Sequence, residues 1–243
     1  MVDQQRIDPV NLLLININMI DPCVYLNHSY DRNEFADFSQ YCFEKYKNDF
    51  VGKTITYPWC SVSDREDSKK FKKILQNLFD IFESIGQPLV ANNPKMFWSL
   101  PNAYGLIHKD PIGYKGKLLD EYSKWACNIP AVNSDEVFLE FFDNATDDDT
   151  NFKNHENIPQ QYAMPNFYRK YTGQNLELGQ RAEEQVDPVF KKSFTDGMLL
   201  DTTQWHRSRS YSDKVSIRIQ YFTYWDLQKS YQQTATDLSN HLL

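Results

Sequence analysis

The residues best suited to chemistry in this chain are few. Histidine occurs five times, and two of the five stand where they can share one ion with a carboxylate. His108 and Asp110 are separated by a single residue in Tyr104-Gly-Leu-Ile-His-Lys-Asp110. If that segment is a strand, side chains alternate between its faces, so His108 and Asp110 point to one side and Lys109 to the other. An imidazole and a carboxylate so placed reach one metal. His206 offers a third ligand at the end of Leu199-Leu-Asp-Thr-Thr-Gln-Trp-His206, an apolar strand that starts after an Asp196-Gly197 turn. Two imidazoles and one carboxylate on one face leave three coordination positions open. This is the facial arrangement of non-haem Fe(II) sites, where a bidentate 2-oxo acid and then O2 take the open positions. Arg218 follows His206 by 12 residues in Ser212-Asp-Lys-Val-Ser-Ile-Arg218-Ile-Gln-Tyr-Phe222, a strand pattern with one cation placed as if buried. The interval suffices for a strand end, a turn and a return strand. It places the guanidinium deep in a barrel, one cosubstrate length from the metal, where its planar fork pairs bidentately with a carboxylate.

These residues need strands to aim them, and the second half of the chain supplies strand-like segments. Met96 to Leu100, Tyr104 to Asp110, Glu136 to Phe142, Met198 to Thr203 and Val215 to Tyr224 are short, aromatic or β-branched, and broken by Pro, Asn, Asp and Gly. Asn11 to Ile20 reads as another strand near the N-terminus. Ahead of the core, Asp31 with Glu34 marks the start of an aromatic-rich helix running to about Asn48. Ser63 with Glu66 makes a capping box for a second helix. Its Phe71, Ile74, Leu75, Leu78, Phe79 and Phe82 form one apolar stripe, ended by Gly86 and Pro88. Asp226 to Leu243 reads as a closing helix. The expected architecture is mainly β with α: helices packed outside a barrel or sandwich.

Composition narrows the partners. The chain of 243 residues is a sensible length for one large domain, and its aromatic share of 15% argues for a packed protein. The net charge of −7 comes with only short basic clusters (Lys69-Lys70, Lys72-Lys73), too few to neutralise a run of phosphates, so nucleic acid is not expected. No run approaches the roughly 18 apolar residues of a membrane span. Cys23, Cys42, Cys60 and Cys127 match no metal spacing. With no signal peptide evident, they read as reduced thiols of a cytoplasmic protein.

The pattern Leu-Leu-Asp-Thr-Thr-Gln-Trp-His206 followed by Ser-Asp-Lys-Val-Ser-Ile-Arg218 resembles the C-terminal metal-binding half of the 2-oxoglutarate/Fe(II) oxygenases. It looks most like the branches containing aspartyl β-hydroxylases, small prolyl hydroxylases and phytanoyl-CoA-type dioxygenases. The resemblance covers roughly Met96 to Tyr224 and matches a superfamily pattern, not one enzyme. It implies a double-stranded β-helix (a jelly-roll, cupin-like core), with 1–95 as N-terminal support, 96–225 as core and 226–243 as C-terminal helix. It implies Fe(II) bound by His108, Asp110 and His206, 2-oxoglutarate held at Arg218, and O2 as the oxidant. Halogenating members of the superfamily replace the ligand carboxylate with Gly or Ala, so Asp110 favours hydroxylation, desaturation or ring closure. The implied reaction releases succinate and CO2, on a small-molecule, amino-acid or peptide substrate, by a monomer or homodimer. Tyr104 and Ser216 each share a face with a proposed functional residue and are further contacts for 2-oxoglutarate.

Two other classes fit the same residues: a cupin-like barrel that binds a ligand or serves structurally, and a metal-dependent enzyme with this triad but no oxo acid. Plainer readings cover the rest. Arg207 and Arg209 read as solvent-facing loop cations at the mouth of the site, and Trp205 as core. His28, His155 and His241 read as surface residues, Asp147-Asp148-Asp149 as a solvated loop. Part of Asn151 to Phe194 reads as a lid or substrate loop, with Tyr162, Phe167, Tyr168 and Tyr171 as contacts.

Overall fold

The computed structural model describes residues 21–48, 59–103, 111–114, 117–142 and 188–243. The expectations for Asn11 to Ile20, Tyr104 to Asp110, Asp147 to Asp149, His155 and 151–187 lie outside them.

Eleven strands are present among the described residues: β1 Cys23–Tyr25, β2 Trp59–Ser61, β3 Lys95–Ser99, β4 Pro111–Tyr114, β5 Lys117–Tyr122, β6 Ala126–Val132, β7 Val137–Phe141, β8 Phe190–Ser193, β9 Met198–Leu200, β10 His206–Ser210 and β11 Ser216–Tyr221. A larger antiparallel sheet has the order β1-β9-β6-β11-β3-β2, a smaller one the order β10-β7-β8, and β4 and β5 form a separate hairpin. From β6 onward the chain passes from larger sheet to smaller and back, ending on β11 between β3 and β6. That alternation makes a double-stranded β-helix, the core expected from the sequence.

Side-chain alternation assigns the faces. On the larger sheet, Met96, Cys127, Ile129, Leu199, Ile217, Ile219 and Tyr221 belong to one apolar cluster with the helices. Cys23, Ala126, Met198 and Leu200 join a second, smaller cluster with Val137, Leu139 and Phe141 of β7 and with Phe194. The first cluster lies between sheet and helices, the second between the two sheets. The inward face of β11 therefore carries Ser216, Arg218 and Gln220, and that of β6 carries Ala126, Asn128 and Pro130. Pairing between β11 and β6 shifts register at Ile217/Arg218. Ala131 is the extra residue, so it and Val132 both reach the helix side. Pro130 sits at this irregularity, past the Ala126 to Asn128 stretch that pairs with β9, where its missing N–H disturbs no ladder bond on that side.

Four α-helices are described: α1 Arg32–Tyr46, α2 Arg65–Ile74, α3 Gln76–Ser84 and α4 Tyr231–Asp237. Asp31 caps α1, its carboxylate accepting from Asn33 and Glu34 N–H at 2.9 Å each. The cap of α2 is Asp64, not Ser63, with Glu66 N–H at 2.8 Å. Lys45 lies 3.0 Å from Asp64 and holds its carboxyl below the ordinary range, so a full anion faces the helix dipole. The stripe expected as one helix is two. At Leu75 the N–H is shared between the Phe71 and Lys73 carbonyls, and the bend leaves Phe71, Leu75, Leu78, Phe79 and Phe82 in one core. Each such ring contributes about 1.5–3 kcal/mol by leaving water. The closing helix is shorter than expected: Ser230 caps it, its Oγ accepting from Gln233 N–H at 3.2 Å.

All four cysteines are free and buried. Burial pushes the Cys23 and Cys42 thiols up to about 12, so both stay protonated. Among the described residues no helix is long and apolar enough to cross a membrane. His28 is not the surface residue expected. It is half-buried, stacked on Tyr30 with centroids 4.9 Å apart, and its ring fills the space that a Cβ on Gly197 would need.

Candidate active site

His206 is the first residue of β10, buried at 4% exposure. Its cross-strand partner is Phe141, which belongs to the inter-sheet cluster, and the two rings lie 5.9 Å apart. His206 therefore points into the space between the sheets. The turn ahead of it is built by Asp201, whose carboxylate accepts from Thr203 N–H (3.0 Å), Thr203 Oγ1–H (2.6 Å) and the Gln204 side-chain amide (3.0 Å). Gln204, so held, presents its carbonyl to His206 Nδ1 at 2.8 Å. A carbonyl only accepts, so Nδ1 carries the proton and the neutral ring has its lone pair on Nε2. Metal-bound histidines are usually arranged this way, one ring N–H tied to backbone and the other nitrogen presented.

Arg218 enters the same interior from the opposite sheet. Its guanidinium carbon lies 4.8 Å from the Phe97 ring and 5.1 Å from the Phe194 ring. Phe194 N–H donates to Val137 O at 2.9 Å, so Arg218 is at the Val137 end of β7 and His206 at the Phe141 end. Four strand residues, about 13 Å, separate those levels. Ser134 closes the deep end, its Oγ donating to Ile217 O at 2.9 Å. Thr202 Oγ1 ties the turn before His206 to Ser123 O at 2.5 Å, just ahead of β6, which marks the other end. Ser216 is buried on the Arg218 face, paired across strands with Ser99.

Of the sequence-predicted site residues, His206, Arg218 and Ser216 are thus brought to one interior. His108, Asp110 and Tyr104 lie outside the described residues. Among the described residues no group of three His, Cys, Asp or Glu comes together. The chain enters the segment carrying His108 and Asp110 from Ala103, whose carbonyl accepts from Ser210 N–H of β10 at 2.6 Å. Among the described residues the interior offers one metal-type donor, the His206 imidazole with its tautomer set, and one group suited to a carboxylate, the Arg218 guanidinium between aromatic rings.

Arg207 and Arg209 are not loop cations. Both are on β10 and face away from the interior. Arg207 is fully buried, its Nε 2.7 Å from Glu140 Oε2 on the neighbouring strand, and Tyr211 O–H donates to Glu140 Oε1 at 3.1 Å. The sequence hides this because Glu140 is 67 residues away. Trp205 is core, as expected. Sequence reasoning missed Asp201, which had a legible signal in the Asp-Thr-Thr-Gln turn composition.

No family model matches the chain, and no curated protein does. Its shape is similar to that of several solved structures. The non-haem α-ketoglutarate-dependent carbocyclase SnoK from nogalamycin biosynthesis is 13% identical, covering 83% of this chain and 79% of its own, with a TM-score of 0.46. HygX from Streptomyces hygroscopicus, with nickel and 2-oxoglutarate bound, is 10% identical over 93% of this chain and 95% of its own, with a TM-score of 0.47. A prolyl-4-hydroxylase from Pseudomonas putida is 9% identical over 83% and 92%, with a TM-score of 0.43. At these values the likenesses carry no weight for activity or residue roles, which stand on the chain's own geometry.

Proposed function

We propose that this chain is a non-haem Fe(II), 2-oxoglutarate-dependent dioxygenase that hydroxylates a small-molecule, amino-acid or peptide substrate. The observation carrying this reading is the pairing of His206 and Arg218. They enter one buried interior from opposite sheets, the imidazole near one end with Nδ1 tied to Gln204 and the guanidinium toward the other. In this proposal His206 Nε2, His108 and Asp110 hold the metal, and Arg218 with Ser216 and Tyr104 holds 2-oxoglutarate. Bound Fe(II) supplies the redox chemistry: O2 and 2-oxoglutarate become succinate and CO2 as one substrate C–H becomes C–OH.

The protein's own part is positional. Asp201 sets the turn, Gln204 fixes the His206 tautomer, and Phe141 packs against the ring so that it cannot swing. Phe97 and Phe194 flank the half-buried Arg218 guanidinium and hold it in place. A dicarboxylate anchored there by one end has its other end directed toward His206.

The test is anaerobic addition of Fe(II) and 2-oxoglutarate to purified protein, reading the weak visible charge-transfer band of an iron-bound 2-oxo acid. The band is expected in wild type and absent in His206→Ala. A well-folded wild type without the band would sink the oxygenase reading and favour a ligand-binding or structural barrel.

A further inference from the structure

Between the levels of His206 and Arg218, among the described residues, the inward face of the larger sheet carries a buried polar atom without a partner. Asn128 of β6 is 2% exposed, and its Nδ2 is buried without a hydrogen-bond partner. Two of its neighbours on the same face are apolar: Met198 of β9 is its cross-strand partner on one side and Ala126 lies one step along β6. Gln220 of β11 is its partner on the other side. A buried primary amide left unpaired is costly, and native cores rarely keep one without a reason.

Its position supplies the reason. Along β11, Gln220 is two residues from Arg218, toward the end of the barrel that holds the turn before His206. Two strand residues span about 6.6 Å, comparable with the distance between the two carboxylates of a five-carbon diacid. An acid whose far carboxylate pairs with Arg218 thus brings its near, 2-oxo end to the level of Asn128. A carboxylate only accepts hydrogen bonds, and Nδ2 only donates.

We propose that Asn128 is a cosubstrate-binding residue, its side-chain amide donating to the 2-oxo-acid end of the diacid anchored at Arg218. This rests on the oxygenase reading. It adds that recognition of the reactive end of the acid comes in part from β6, a strand with no metal ligand, so metal affinity and 2-oxo-acid affinity are separable by mutation. Asn128→Ala removes the donor. Asn128→Asp keeps the shape but sets an acceptor against an acceptor. Asn128→Ser is a smaller perturbation that retains one donor.

The experiment is calorimetric titration of 2-oxoglutarate into Mn(II)-loaded protein, with Mn(II) affinity measured separately and melting curves confirming each variant folded. Hydrogen bonds to charged groups of this kind correspond to about ten- to a hundredfold in affinity. Asn128→Ala is expected to bind 2-oxoglutarate ten- to a hundredfold more weakly than wild type, Asn128→Asp more weakly still, and Asn128→Ser in between, all with Mn(II) affinity unchanged. A folded Asn128→Ala or Asn128→Ser variant binding 2-oxoglutarate as tightly as wild type overturns the assignment while leaving the oxygenase reading intact. A fall in Mn(II) affinity matching that for 2-oxoglutarate also overturns it, because the amide would then act through the metal. Wild type that takes up Mn(II) but no 2-oxoglutarate overturns both.

Discussion

The larger sheet has two faces built to opposite rules. Toward the helices, Met96, Cys127, Ile129, Leu199, Ile217, Ile219 and Tyr221 pack against Phe35, Phe38, Phe71, Phe79 and Phe82 in an almost wholly apolar layer. Toward the smaller sheet, the same strands β6 and β11 present Asn128, Ser216, Arg218 and Gln220 beside a much smaller apolar cluster. One face spends its residues on burial, which stabilises. The other holds a half-buried cation between two rings and keeps an unpaired amide out of water, and that amide costs stability unless a ligand arrives to satisfy it. Polar groups accumulate where packing has been given up, and the functional reading follows that boundary.

The comparison can be broken from either side. The largest effect is expected on the helix face: Phe82→Ala should lower unfolding stability by about 4 kcal/mol in urea titrations, with the 2-oxoglutarate affinity of the folded fraction unchanged. A shift in that affinity would mean the two faces are not independent. On the inner face Arg218→Gln should weaken 2-oxoglutarate binding by about 3 kcal/mol, roughly a hundredfold, read by calorimetry on the Mn(II)-loaded protein. Similar binding by the variant would remove Arg218 from the site. Smaller still, Asn128→Leu should raise stability by about 1 kcal/mol, since it trades an unpaired buried amide for apolar contact. Destabilisation instead would show that the amide is not a liability in the ligand-free fold.

The smallest effect lies away from both faces. Burial holds the His28 pKa below its ordinary 6.5, so the unfolded chain binds the proton more readily than the native one. The native state therefore loses stability as pH falls through about 6.5. Melting temperatures measured from pH 7.5 to 5.5 should fall less steeply in His28→Gln than in wild type. Equal slopes would show that His28 takes up its proton as easily folded as unfolded.

Much of this was legible in the chain. Strand period and turn residues located β3, β7, β9 and β11, and Asp31 announced its helix, because local propensity and tertiary structure agree there. The capping box at Ser63 misread the start of α2 by one residue, since Lys45 from another helix favours the Asp64 carboxylate. The segment bearing Arg207 reads as a loop in sequence, because a buried cation is unexpected until Glu140, distant in sequence, is placed across from it. Strands β1, β2 and β8 are too short to carry a period of their own.

By itself, the sequence singled out residues whose types suit metal and dicarboxylate, since that selection depends on side-chain chemistry and on spacing of two or twelve residues along one chain. It also determined that His206 and Arg218 lie on successive strands. Only the tertiary structure decided which way they face and at what depth. Facing depends on which side of each strand the helices cover, and depth on the register among β6, β7 and β11, neither of which is a local property. The role of Asn128 comes from the same source. A polar residue in an apolar run becomes a binding group only when its neighbours across two strands leave its amide unpaired inside.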